Sequence, residues 1–274
     1  MSPSPVHIAF IGGGNMASAI IGGLLRQGLQ PTQITVIEPF SETAAKLMQD
    51  YGITALPTAG STLAMADLVV WAVKPQVFLE AAIPVTPHTQ GALHLSVAAG
   101  IRTDSICRWT HSERVVRCMP NTPALIGQGI TGLFACPSVT SQDKSLVEQV
   151  IGTTGQHLWV QQESQLDAVT ALSGSGPAYV FYFLEAMTQA GVGMGLSAEQ
   201  AYKLAVATFS GASSLAAAST ESPEVLRQRV TSKGGTTYAA LTAMEAAGIK
   251  PAFVKAMQAA EQRARELGDE FGKA

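Results

Sequence analysis

Charge is scarce in this chain. Asp, Glu, Lys and Arg make up 14% of its 274 residues, where about 25% is usual for a soluble domain. The apolar share of 47% is ordinary, so much of the surface must be uncharged, which points to a large subunit interface. Basic clusters are missing too, and the formal net charge is -3, which excludes nucleic acid and anionic membranes as main partners. Cysteine is limited to Cys107, Cys118 and Cys136, scattered and without a C-x-x-C pair. That excludes a disulfide framework and fits a reducing, cytoplasmic location. Met1-Ser2-Pro3-Ser4-Pro5 lacks the basic start and long apolar stretch of a signal peptide. Ala168 to Leu184 and Leu204 to Thr220 are uncharged but broken by Ser, Thr and Gly, and are read as buried interface helices rather than membrane spans.

Metal-binding and hydrolytic signals are absent as well. None of the five histidines, His7, His88, His94, His111 and His157, stands at ligand spacing from another ligand-type residue, so no metal is expected. There is no G-x-S-x-G elbow, and Ser173-Gly174-Ser175-Gly176 opens a helix without a preceding strand. Hydrolase chemistry is thereby disfavoured.

What the chain does have is a strand, a glycine turn and a helix at its start. Val6 to Ile11 is apolar, Gly12-Gly13-Gly14-Asn15-Met16-Ala17 follows, and a helical run continues to Leu25. In this context G-x-G-x-x-A is a dinucleotide-binding fingerprint. Gly12 permits the sharp turn, Gly14 lets backbone approach a pyrophosphate, and Ala17 keeps helix against strand. The N–H groups at the helix start then face the anion. A second strand, Ile34 to Ile37, ends at Glu38. An acid there either holds the 2′-OH of NAD or is a solvated loop-end carboxylate.

The spacing predicts a helix over Glu42 to Tyr51, a short strand at Ile53 to Ala55 and a buried parallel strand at Leu68 to Val73. That strand ends in Lys74-Pro75, so Ala72, Val73, Lys74 and Pro75 are expected to line the cofactor at the carboxyl edge of the sheet. Leu93 to Val97 leads into Ala98-Ala99-Gly100, small enough for close approach of a flat ring. Val115 to Met119 leads into Pro120-Asn121-Thr122-Pro123, a loop stiffened by two prolines. Strands at Gly129 to Ala135 and His157 to Val160 flank a helix over Gln142 to Gly152, and strand signals then stop. The fold class is therefore α/β: a Rossmann-like dinucleotide-binding domain over residues 1–162, then an all-helical dimerisation and substrate domain over 163–274, with the boundary near Gln161 to Gln165.

Helices are expected at Ala178 to Ala190, from Ser197 to Ala218, at Glu224 to Val230, from about Thr237 to Ala247 and at Pro251 to Phe271. The first carries Tyr179, Phe181, Tyr182 and Phe183 on more than one face, as a helix buried all round would. Before the fourth stands Thr231-Ser232-Lys233-Gly234-Gly235-Thr236-Thr237, a glycine-rich helix start suited to a carboxylate. Ala178 to Ala190 has no Lys or His, so no strong base is supplied for a hydroxyl. The residues favour a substrate that accepts hydride unaided, such as a protonated imine. A β-hydroxyacid dehydrogenase and a non-catalytic dinucleotide sensor are the alternatives.

Taken in order, Phe10 to Ala17, Ala72 to Pro75, Ser96 to Gly100, Met119 to Pro123, Leu172 to Tyr179 and Ser232 to Thr237 make the chain resemble the pyrroline-5-carboxylate reductase family over nearly its whole length. The resemblance implies NAD(P)H-dependent reduction of 1-pyrroline-5-carboxylate to L-proline, the last step of proline biosynthesis. It implies that Ile11, Gly12, Gly13, Gly14, Asn15 and Met16 hold the pyrophosphate, and that Ala98, Ala99, Gly100 and Asn121 lie beside nicotinamide and substrate. Ser232, Lys233, Gly234, Gly235, Thr236 and Thr237 would bind substrate, with Thr237 as the catalytic hydroxyl on the ring nitrogen. It further implies homodimers through the helical domain, stacking into decamers. Two positions depart from the pattern: Lys233 replaces a common proline, and Glu38 stands where NADPH-preferring members offer small polar or basic groups. NADPH is expected, with NADH as a usable second cofactor.

Overall fold

The computed structural model describes residues 6–272; Met1–Pro5, the stretch from which the absence of a signal peptide is read, lies outside the described residues. Two compact units are present, one of residues 1–175 with 260–274 and one of residues 176–259.

In the first unit, seven strands form one sheet: β1 (Ile8–Ile11), β2 (Ile34–Ile37), β3 (Leu68–Trp71), β4 (Leu93–Ser96), β5 (Val115–Met119), β6 (Gly129–Ala135) and β7 (Gly155–Trp159). The order is β2-β1-β3-β4-β5-β6-β7. All neighbours are parallel except β5 and β6. Both faces of a parallel sheet are covered, so β1 and β3 are apolar at every position, while β4 and β5 bury His94, Ser96 and Arg117. Ile8 and Phe10 pack under α1 (Asn15–Arg26) with Ile20, Ile21 and Leu24. Ala9 and Ile11 face the other way, into a core with Trp71, Phe78 and Ile106.

The helix α2 (Ser41–Tyr51) ends at Tyr51 as expected, on Gly52 in the left-handed conformation. The strand expected at Ile53 to Ala55 does not form. The chain touches β2 only at Leu56, through Leu56 N–H to Val36 O (2.8 Å) and Glu38 N–H to Leu56 O (2.8 Å). Pro57 and Thr58 follow in a bend, and the pairing stops there. The helices α3 (Phe78–Val85) and α4 (Thr103–Thr110) cover the second face, and α5 (Ser141–Gly152) opens on a Thr140 and Asp143 capping box. β7 begins two residues before the expected position, where Gly155 lies so close to Gly129 that no side chain fits. The segment α6 (Gln165–Val169) runs into a π-helical turn over Thr170–Gly174.

The second unit contains α7 (Gly176–Gly193), α8 (Ala198–Ala218), α9 (Pro223–Arg229), α10 (Thr236–Ala246) and the first half of α11 (Ile249–Phe271). Ser197 and Gln200 form the capping box of α8, and Ser222 caps α9 ahead of Pro223. In α7 only Leu184 and Gly191 are buried, while Phe181 and Tyr182 are 58% and 69% exposed. Burial of this helix on all sides is thus not achieved within one chain. No helix among the described residues is long and apolar enough to cross a membrane.

Candidate active site

β1 delivers the chain to the glycine turn at the carboxyl edge of the sheet. Gly12 has φ +93°, and a Cβ there would lie 2.7 Å from Ala72 O. Only glycine satisfies both constraints. Gly13 is required for space, since its Cβ would meet Leu47 of α2 at 2.6 Å. Gly14 is different: it precedes α1 in extended conformation, without a side-chain cap, and nothing lies within 4 Å of where its Cβ would be. Its open side leaves the first N–H groups of α1 free to meet an anion, with no acidic residue in that turn to oppose it.

A cavity of about 400 Å³ adjoins this turn, lined by Gly13, Gly14 and Asn15 and by Thr43, Lys46 and Tyr51 of α2. Glu42 and Asp50 also line it. Lys46 was not a sequence candidate. Residues 42, 46 and 50 are spaced at i, i+4 and i+8, so their common helical face was the signal that could have found it.

Glu38 is buried, at 6% exposure. Its Oε2 accepts from Gly13 N–H (2.8 Å) and its Oε1 from Phe40 N–H (2.9 Å). The solvated loop-end reading is therefore corrected: the carboxylate is drawn in because two backbone donors are aimed at it. Glu38 thereby locks the glycine turn to the tip of β2.

Ala72 continues β3 through its N–H to Ile11 O (2.8 Å), and Val73, Lys74 and Pro75 form the edge beyond, with Lys74 exposed. After β4, Ala98 is buried, and Ala98 N–H donates to Ser96 Oγ (3.3 Å). A Cβ on Gly100 would lie 3.1 Å from the Phe271 ring, so its small size serves packing of the end of α11. Asn121 is committed at both ends of its amide: Nδ2 donates to Ser173 O (3.2 Å) and Oδ1 accepts from Ile130 N–H (3.0 Å). It ties the proline-bracketed loop to β6 and to the π-helical turn. The structure thus brings Gly12 to Asn15, Glu38, Ala72 and Val73 together at the edges of β1, β2 and β3.

In the second unit, the Ser232 to Thr237 stretch forms the turn entering α10, which starts at Thr236. Gly234 has φ +76°, and Gly235 N–H donates to Ser232 O (3.0 Å). Gly235 precedes the helix in extended conformation without a side-chain cap, and the first turn carries no acid. Ser232, Lys233, Gly234 and Thr236 are exposed, and Thr237 is half-buried. This is a second uncapped, glycine-led helix start, of the same electrostatic kind as that of α1.

A nucleotide-accepting Rossmann sheet, joined in one chain to an α7 without Lys or His and to a second anion-accepting helix start, defines a dinucleotide-dependent oxidoreductase. Residues 163–267 match the family model for pyrroline-5-carboxylate reductase dimerisation, and residues 7–100 that for NADP oxidoreductase, coenzyme F420-dependent. The chain is 43% identical over 272 residues to pyrroline-5-carboxylate reductase of Pseudomonas aeruginosa, covering 98% of this chain and all of that one. Among solved structures, a pyrroline-5-carboxylate reductase of Coxiella burnetii superposes with a TM-score of 0.90 at 37% identity, covering 96% and 99% of the two chains. The Plasmodium falciparum pyrroline carboxylate reductase with NADP bound gives 0.85 at 27% identity, covering 96% and 98%. The chain belongs to the pyrroline-5-carboxylate reductase family.

Proposed function

We propose that this protein reduces 1-pyrroline-5-carboxylate to L-proline with NADPH, NADH serving as a second donor. The observation that carries the reading is the pair of uncapped glycine-led helix starts, at α1 and at α10, in a chain whose α7 offers no Lys or His. The residues at the first start fit a dinucleotide: Gly14 leaves open space, Gly12 allows the turn, and Glu38 holds it.

When bound, the reduced nicotinamide supplies the hydride for the ring C=N carbon. This chain's own residues do the rest. The N–H groups of Gly14 to Met16 bind the pyrophosphate, with Ile11, Gly12 and Gly13 shaping the turn, and Ala72 to Pro75 support the cofactor further along. Ala98, Ala99 and Gly100 flank the nicotinamide, and Asn121 fixes the loop beside it. Ser232, Lys233, Gly234, Gly235 and Thr236 bind the substrate carboxylate, while the Thr237 hydroxyl accepts from the protonated ring nitrogen and orients it. An iminium is already activated, so no strong general acid is needed.

We assign the cofactor domain to residues 1–162 and the helical domain to 163–274, supported by the dimerisation family model beginning at residue 163. The exposed apolar side chains of α7 support a homodimer through the helical domain, and dimers stack into decamers in this reading. Three free cysteines support a cytoplasmic location. The test is NADPH consumption with 1-pyrroline-5-carboxylate and formation of L-proline. Turnover with a 3-hydroxy acid but not with the pyrroline would overturn the assignment.

A further inference from the structure

Cys107 on α4 and Cys136 just beyond β6 stand 29 residues apart in sequence with their Sγ atoms 3.9 Å apart. Both are partly exposed, whereas Cys118 is fully buried and donates to Ser96 O (3.2 Å). A disulfide needs about 2.05 Å between sulfurs, so closure asks for a shift of one loop residue against one helical turn. Cys136 follows the last residue of β6, its N–H donating to Val115 O (3.0 Å) and its carbonyl accepting from Val139 N–H (3.0 Å), so side-chain rotation supplies most of the closure. We propose that Cys107 and Cys136 form an oxidisable dithiol, a modification site that takes a small hydroperoxide and closes to an intramolecular disulfide.

The two thiols have different roles. The two Sγ atoms share a hydrogen bond in which either can donate, and this contact raises the Cys107 thiol and holds the Cys136 thiol below the ordinary cysteine range. Burial and the nearby Glu113 and Glu163 act in the same direction on Cys107 and in the opposite direction on Cys136. Cys136 is therefore the attacking sulfur. Its thiolate attacks one oxygen of hydrogen peroxide, the O–O bond breaks, and hydroxide leaves and is protonated to water. This gives a sulfenic acid at Cys136. Cys107 then loses its proton and attacks that sulfur, the S–O bond breaks, water leaves and the S–S bond forms. Two thiols and one peroxide give one disulfide and two waters. The sulfurs supply the two electrons, and an external dithiol reverses the step.

Cys107 lies one helical turn after Thr103, whose N–H and Oγ1 each hold the Glu163 carboxylate at 2.7 Å. Glu163 in turn accepts from the buried Arg117 of β5 (2.9 Å). This network keeps α4 in place, which is why the sulfurs face each other before oxidation.

The test treats the full-length protein with hydrogen peroxide near neutral pH, alkylates the free thiols, and maps the product by fragmentation mass spectrometry. The expected result is loss of the Cys107 and Cys136 thiols together, a link between them within one chain, and recovery with dithiothreitol. In Cys107→Ser, a dione probe should trap a sulfenic acid at Cys136; in Cys136→Ser, Cys107 should stay reduced at the same dose. Oxidation first at Cys118, links only between chains, or all thiols remaining free in the wild type would each overturn the proposal.

Discussion

Glu38 combines two demands at one residue, since the carboxylate that would read the cofactor ribose also accepts Gly13 N–H and Phe40 N–H. Removing its charge should relieve repulsion of a 2′-phosphate while leaving one acceptor for the turn. We predict that Glu38→Gln shifts the ratio of NADH to NADPH dissociation constants toward NADPH by about tenfold, or roughly 1.4 kcal/mol. Titration of both cofactors checks this, and an unchanged ratio would mean that the carboxylate serves the turn alone. Thr237→Ala should lower kcat by roughly 10- to 100-fold, equivalent to the loss of a hydrogen bond to a charged group. NADPH affinity should stay within about twofold, and Thr237→Ser should restore most of the rate. Equal loss of cofactor affinity would contradict the assigned role. Gly12 was readable from the motif. The burial of Glu38 was not, because it depends on where Gly13 and Phe40 point their N–H groups, which no spacing encodes.

At the scale of elements, β4 and β3 carry a buried aromatic stack in which His94 Nδ1 accepts from Trp71 Nε1 (3.0 Å) and Trp71 stacks on Phe78. Burial pushes the His94 pKa down to about 4, with nearby Arg114 acting in the same direction. The fold thus favours neutral His94, whereas the unfolded chain takes up a proton below its ordinary value of 6.5. Stability from this residue is complete above pH 6.5 and is lost as pH falls from 6.5 toward 4, with a ceiling on the order of 3 kcal/mol. Urea unfolding at pH 7 and pH 5 should show that loss in the wild type and a smaller one in His94→Gln.

The long strands and capped helices were legible because hydrophobic runs, Gly52, Ser197 and Ser222 mark them locally. The missing strand at Ile53 to Ala55 was not, since those residues have β-compatible side chains and yet only Leu56 bonds to β2. The π-helical turn before α7 was also invisible. It forms where Asn121, far away in sequence, takes the Ser173 carbonyl.

For the whole molecule, the exposed apolar side chains of α7 and α8, Phe181, Tyr182, Tyr202 and Leu204 among them, require a partner surface. Sedimentation should find no monomer at micromolar concentration, and Tyr182→Glu should weaken association at least about tenfold by placing a charge in that face. The scarcity of charge made an interface legible from composition, though its geometry depends on a second chain. The central claim is that the α10 start receives the substrate's carboxylate. It is tested most directly by comparing kcat/KM for 1-pyrroline-5-carboxylate with that for 1-pyrroline, which lacks the carboxylate, at saturating NADPH. A carboxylate held by several N–H and hydroxyl donors should favour the first by about 100-fold or more; equal values for the two substrates would contradict the account.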